Sequence, residues 1–130
     1  MCLSAFRNCK QLESVQLNDS LEELGEKEVV KGNEYEGNVF AGSAVASIRL
    51  PSTLGEIRQG TFYECENLKS IEFPEVLKII GDCAFQGSGL ENVTLPASLR
   101  AIAHGAFCEC QNLKTVKFCV GLEVLGTNER

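Results

Sequence analysis

With 130 residues, 44% of them hydrophobic and 23% charged, the chain is one domain of ordinary globular composition, long enough to bury a core. No apolar run approaches the roughly 18 residues that span a bilayer, and no charged-then-apolar signal segment opens the sequence. Membrane insertion is therefore not expected, and a secretion signal would have to lie outside these residues. The net charge of −6 comes without a basic stripe, which argues against nucleic acid as a partner, because phosphate contacts need clustered Lys and Arg.

In chain order, the sequence predicts five coils of similar make. The first, over about residues 5–25, opens with Phe6-Arg7-Asn8-Cys9-Lys10-Gln11-Leu12, continues through Val15 and Leu17, and closes on Leu21, Leu24 and Gly25. Alternation of its last two apolar positions is the period of a strand with one buried face. A polar insertion follows over about 26–37, centred on Tyr35. Six glutamates against Lys27 and Lys31 give −4 across residues 22–36.

The second coil, about 40–59, begins Phe40-Ala41-Gly42-Ser43-Ala44-Val45, one residue shorter, with a Gly-Ser turn where the first has cysteine. Ile48, Leu50, Pro51, Leu54 and Ile57 complete it. The third, about 62–82, returns to the long form with Phe62-Tyr63-Glu64-Cys65-Glu66-Asn67-Leu68, then Ile71, Phe73, Pro74, Leu77, Ile80 and Gly81. The fourth, about 85–104, is short again, with Phe85-Gln86-Gly87-Ser88-Gly89-Leu90 leading to Val93, Leu95, Pro96, Leu99 and Ile102. The fifth, about 107–126, is long, running Phe107-Cys108-Glu109-Cys110-Gln111-Asn112-Leu113, then Val116, Phe118, Leu122, Leu125 and Gly126.

The leading phenylalanines Phe40, Phe62, Phe85 and Phe107 recur at intervals of 22, 23 and 22 residues. Self-similarity at that period marks a solenoid, in which no coil buries its apolar face alone and stacking neighbours form a continuous core. All three prolines end a strand, where the missing N–H is harmless.

The strand pattern L-x-x-L-x-L and the fuller A-F-x-x-C-x-x-L-x-x-[IV]-x-[LF]-P-x-x-L-x-x-I-G resemble the BspA-like class of leucine-rich repeats. Ala84-Phe85, Ala106-Phe107, Leu95-Pro96 and Ile80-Gly81 carry the resemblance, which covers the chain apart from residues 26–37. It implies a mostly β solenoid of the α/β type, a right-handed superhelix of about five 22–23-residue coils with a parallel sheet on the concave face. It also implies a non-enzymatic, adhesive protein, secreted or on the cell surface, with no cofactor.

Seven cysteines are present. Cys9, Cys65 and Cys110 share one register in alternate coils, roughly 10 Å apart at the strand spacing, too far for a disulfide that needs its Cα atoms within about 7 Å. Buried free thiols acting as small hydrophobes are expected. His104 with Cys108 and Cys110 lacks an evident fourth metal ligand. No third group orients a Cys–His pair for catalysis, and Gly87-Ser88-Gly89 lacks nucleophile-elbow spacing. No catalytic, metal or cofactor residue is therefore assigned. The patterns Asn18-Asp19-Ser20 and Asn92-Val93-Thr94 match N-glycosylation acceptors, short enough to arise by chance.

Outward strand positions should form two rows. One is Ser14, Ser47, Ser70, Asn92 and Thr115; the other, Gln16, Arg49, Glu72, Thr94 and Lys117, varies in charge from coil to coil as a recognition surface would. With Tyr35 of the insertion, this second row is the expected contact surface for a protein or glycan partner. The alternative is a structural spacer with no binding site of its own. Neither end carries the polar cap a solenoid needs, so end-to-end self-association through uncapped coils is also expected.

Overall fold

The computed structural model describes residues 6–17, 19–20, 23–24, 39–117 and 124–125. Among the described residues nine short strands follow one another: β1 (Ser14–Gln16), β2 (Glu23–Leu24), β3 (Ser47–Arg49), β4 (Glu56–Ile57), β5 (Ile79–Ile80), β6 (Asn92–Thr94), β7 (Ala101–Ile102), β8 (Thr115–Lys117) and β9 (Val124–Leu125). Every pairing is parallel and joins neighbouring coils. That is the topology of a stacked solenoid.

The phenylalanine ladder is its axis. Phe6 and Phe40, Phe40 and Phe62, Phe62 and Phe85, and Phe85 and Phe107 stack at 5.3, 5.5, 5.1 and 5.4 Å between ring centroids, within 9° of parallel. Each ring is positioned by the backbone. The N–H of one phenylalanine donates to the residue before the next, as from Phe62 to the Ala84 carbonyl and from Phe85 to the Ala106 carbonyl, both 2.8 Å. Around the rings, Leu54, Ile57, Leu68, Leu77, Ile80 and Leu90 are fully buried. Burying one such side chain contributes about 1.5–3 kcal/mol. The prolines each begin a tight turn, their carbonyls accepting the N–H of Leu54, Leu77 and Leu99 at 3.1–3.2 Å.

The sequence reading placed one sheet on one face; the structure has strands on two. The second apolar pair of each coil ends in a two-residue strand, and these join as β2-β4-β5-β7-β9. Ile57, Ile80 and Ile102 point inward there and are buried. The concave strands, by contrast, pair as β1-β3 and β6-β8 only. Between them, Ser70–Phe73 of the third coil make no backbone–backbone hydrogen bond among the described residues. This coil carries Phe73 where Leu50 and Leu95 stand in its neighbours. The half-buried ring meets Phe85 edge-on at 5.8 Å and 81°, bringing to the seam a bulk that leucine lacks.

Candidate binding surface

The concave rows lie where the strand register puts them. Ser14 pairs with Ser47 and Gln16 with Arg49 across β1 and β3, while Asn92 pairs with Thr115 and Thr94 with Lys117 across β6 and β8. All ten row residues, Ser70 and Glu72 included, are exposed. Alternation in a strand sends neighbours to opposite faces, so Val15, Ile48, Ile71, Val93 and Val116 between them turn into the core. The small polar row partly satisfies itself: the Thr115 hydroxyl donates to Asn92 Oδ1 at 2.6 Å. Tyr35 and the insertion around it lie outside the described residues.

The charged row is less free than its sequence suggests. Arg49 donates through both terminal nitrogens to the two Asp19 carboxylate oxygens, at 3.3 and 3.2 Å. Asp19 Oδ1 also accepts the Ser52 N–H at 3.2 Å, and its carbonyl accepts the Thr53 hydroxyl. The hydrogen bond from Arg49, followed by that from the Ser52 amide, holds the Asp19 carboxyl below its ordinary range. Asp19 therefore positions Arg49 and offsets its charge, a role invisible in a row of strand residues because Asp19 sits in the turn after β1.

Two grooves flank the unpaired third-coil segment. One of about 570 Å³ runs between Arg49 and Ser52 on one wall and Phe73, Glu75 and Val76 on the other. The next, about 480 Å³, lies between Phe73 and Glu75 and the fourth coil's Thr94 and Ala97. Glu72 borders both. Among the described residues neither Glu72 nor Glu75 makes an ion pair, so the centre of the face is acidic. Val76 adds an exposed apolar side chain at its lip, 43% accessible. Glu75 and Val76 escaped the sequence reading, which sought contacts in the strand rows and the insertion and passed over the turn after Pro74.

Cys9, Cys65, Cys83, Cys108 and Cys110 are free thiols; Cys2 and Cys119 lie outside the described residues. Cys65 is fully buried, whereas Cys9 and Cys110, expected to be buried, are only half-buried. Cys65 Sγ donates to the Phe40 carbonyl and Cys110 Sγ to the Phe85 carbonyl, each at 3.0 Å. Burial pushes the Cys65 thiol from 9.0 up to about 12 and the Cys110 thiol upward as well. Such thiols are poor nucleophiles. Ser88 of the Gly-Ser-Gly turn is 3% accessible and faces Cys110 Sγ at 3.4 Å, while His104 is exposed and its carbonyl accepts the Cys83 N–H at 3.0 Å.

This geometry can be set beside known proteins. The sequence matches the profile of the BspA type leucine rich repeat region in six copies over residues 2–29 and 33–129. The interruption falls inside the segment read as an insertion. Among solved structures, a leucine rich repeat protein of T. pallidum is similar at 28% identity and a TM-score of 0.67, over 94% of this chain and 64% of its own. A leucine-rich repeat protein from Bacteroides ovatus is similar at 26% identity and a TM-score of 0.64, over 94% of this chain and 41% of its own. The chain thus spans less than two thirds of either. A comparison with curated proteins finds no match.

Proposed function

The chain belongs to the BspA-type leucine-rich-repeat family, whose members are typically protein-interaction modules and generally non-enzymatic, and from that premise we propose that it binds a protein or glycan surface through its concave face. Adhesion at the cell surface, or after secretion, is the role this reading gives the parent protein. The observation that carries it is the exposed row Gln16, Arg49, Glu72, Thr94 and Lys117, in which charge changes from coil to coil beside a row of small polar groups. Solenoids offer extended concave surfaces of this kind to partners. Glu72, standing between two grooves, is the central contact, and Lys117 the basic one at the far end. Tyr35 and the acidic insertion are further proposed contacts.

The test is association with immobilised matrix proteins and glycans, measured for the natural chain and for Glu72→Lys with Lys117→Glu. Both positions are exposed, so stability should stay within about 0.5 kcal/mol while binding weakens. Asp19→Asn should release Arg49 and change the affinity in the direction set by the partner's charge. If binding survives both sign changes, the concave face is not the site. If no surface binds, the chain is a spacer between other parts of a longer array. A concentration-dependent dimer abolished by adding polar capping coils would instead identify association through the ends of the stack.

A further inference from the structure

The two steps from a long coil to the short coil after it are built alike. From the first to the second, the Asn8 N–H donates to the Ala41 carbonyl at 2.8 Å and the Ala44 N–H to the Cys9 carbonyl at 3.1 Å. From the third to the fourth, the Glu64 N–H donates to the Gln86 carbonyl at 2.7 Å and the Gly89 N–H to the Cys65 carbonyl at 3.2 Å. The short coil's glycine is left-handed in both, at φ 70° for Gly42 and 73° for Gly87, and lies against Asn8 or Glu64. One side chain sets the two steps apart. Lys10 donates its ammonium to the Gly42 carbonyl at 2.7 Å, but the residue in its register in the third coil is Glu66.

The Gly87 carbonyl accepts no hydrogen bond from the described residues. Around it a notch of about 410 Å³ is floored by Gly87, Ser88 and Gly89 and walled by Glu64 and Glu66 of the third coil and Glu109 of the fifth. The three carboxylates alone would mark only an acidic stretch of surface. The chemistry of the ligand is read from the sister step, where the same backbone already holds a primary ammonium. A single carbonyl acceptor suits the compact, rotating ammonium of lysine better than the planar fork of arginine. A divalent cation needs several oxygens converging on one point, and no group of three or more acidic, His or Cys residues does so among the described residues.

We propose that the Gly87–Gly89 notch binds a lysine side chain of a protein partner, its ammonium donating to the Gly87 carbonyl as Lys10 does to Gly42, among Glu64, Glu66 and Glu109. This site shares no residue with the concave row and stands or falls separately from it. The test is a titration of the full chain with acetyl-Gly-Lys-Gly-amide, followed by the backbone amide signals of Gly87, Ser88 and Gly89. The peptide in which norleucine replaces lysine is the control.

These amides should shift with the lysine peptide and not with its control. Affinity should fall by about threefold or more in Glu66→Gln, as loss of one exposed charge pair allows. In Glu66→Lys the new ammonium takes the Gly87 carbonyl itself, so binding there is lost. Lys10→Glu should create a second responding site at Gly42. Absence of a lysine-specific shift overturns the proposal, as does undiminished binding in Glu66→Lys. Calcium chloride moving the same amides at lower concentration than the peptide also overturns it and assigns the notch to a divalent cation. Should Glu66→Lys fail to fold, Glu66→Gln and Glu109→Gln, at exposed positions, make the same comparison.

Discussion

Replacing the ladder phenylalanines one at a time by leucine should show a cost that follows the number of rings each one meets. Phe85 meets three: Phe62 at 5.1 Å and Phe107 at 5.4 Å, both stacked, and Phe73 edge-on at 5.8 Å. Phe62 meets two, Phe40 and Phe85, while half-buried Phe6 meets Phe40 alone among the described rings. An aromatic pair contributes about 0.5–1.5 kcal/mol beyond its buried area. Phe85→Leu should then cost about 1.5–4.5 kcal/mol, Phe62→Leu about 1–3, and Phe6→Leu about 0.5–1.5. Leucine keeps most of the apolar volume, so the differences report ring contact more than cavity formation. Urea unfolding followed by circular dichroism measures them. With a slope of about 2 kcal/mol/M, the midpoints of Phe85→Leu and Phe6→Leu should separate by about 1 M. An unchanged slope shows that stability, and not compactness, has moved. Equal losses at Phe85 and Phe6, or the reverse order, would refute nearest-neighbour stacking as the source of stability.

Alkylation of the native protein at pH 8, mapped by peptide, should label half-buried Cys83 and Cys108 well before Cys65, whose thiol burial pushes up to about 12; early labelling of Cys65 would contradict that burial. The same thiol ties stability to pH. Above pH 9 the unfolded chain gives up a proton that the folded chain keeps until about 12, so stability falls as pH rises through that window, and Cys65→Ala should flatten the fall relative to the natural chain. Cys83 adopts φ 54° in the register of Gly60 and Gly105, at 62° and 68°; Cys83→Gly should relieve about 1 kcal/mol of left-handed strain, and a lower urea midpoint would show that its side chain contributes more than it strains. Gly89→Ala should cost about 1–3 kcal/mol, since the new Cβ would come within 2.2 Å of the Glu66 carbonyl oxygen; a neutral result would mean the two coils can part without loss.

Much of the architecture is legible because stacking repeats the same physical demand in every coil. The phenylalanine interval, the strand pattern and the strand-end prolines each solve that demand once per turn, so the register of β1, β3, β6 and β8 follows from counting. The second sheet is not legible in that way. Strands as short as Glu56–Ile57 or Ile79–Ile80 have no alternation to detect, and only the recurring Leu54–Ile57 and Leu77–Ile80 spacing hints at them. The break at Ser70–Phe73 is not legible either, since the fifth coil carries Phe118 in the register of Phe73 and its strand still pairs. For the binding surface, periodicity places Gln16, Arg49, Glu72, Thr94 and Lys117 on one face. It cannot reveal that Arg49 is engaged by Asp19, because that pair spans 30 residues and joins a strand to a turn of another coil.

The uneven seaming of the two faces has a mechanical consequence. On one side five strands are joined without a gap; on the other, between two separate pairs, Ser70–Phe73 of the third coil make no backbone–backbone hydrogen bond among the described residues. Such a body does not bend like a uniform rod. The continuous side resists extension, while on the interrupted side fewer hydrogen bonds oppose a change of spacing at the third coil, that of the Glu91 N–H on the Lys69 carbonyl at 3.0 Å among them. Bending is therefore opposed least beside Glu72, between the two grooves. When the ends are pulled apart, the third coil is held by the continuous sheet, by the stacked rings of Phe40, Phe62 and Phe85, and by turn hydrogen bonds such as that of the Phe62 N–H on the Ala84 carbonyl.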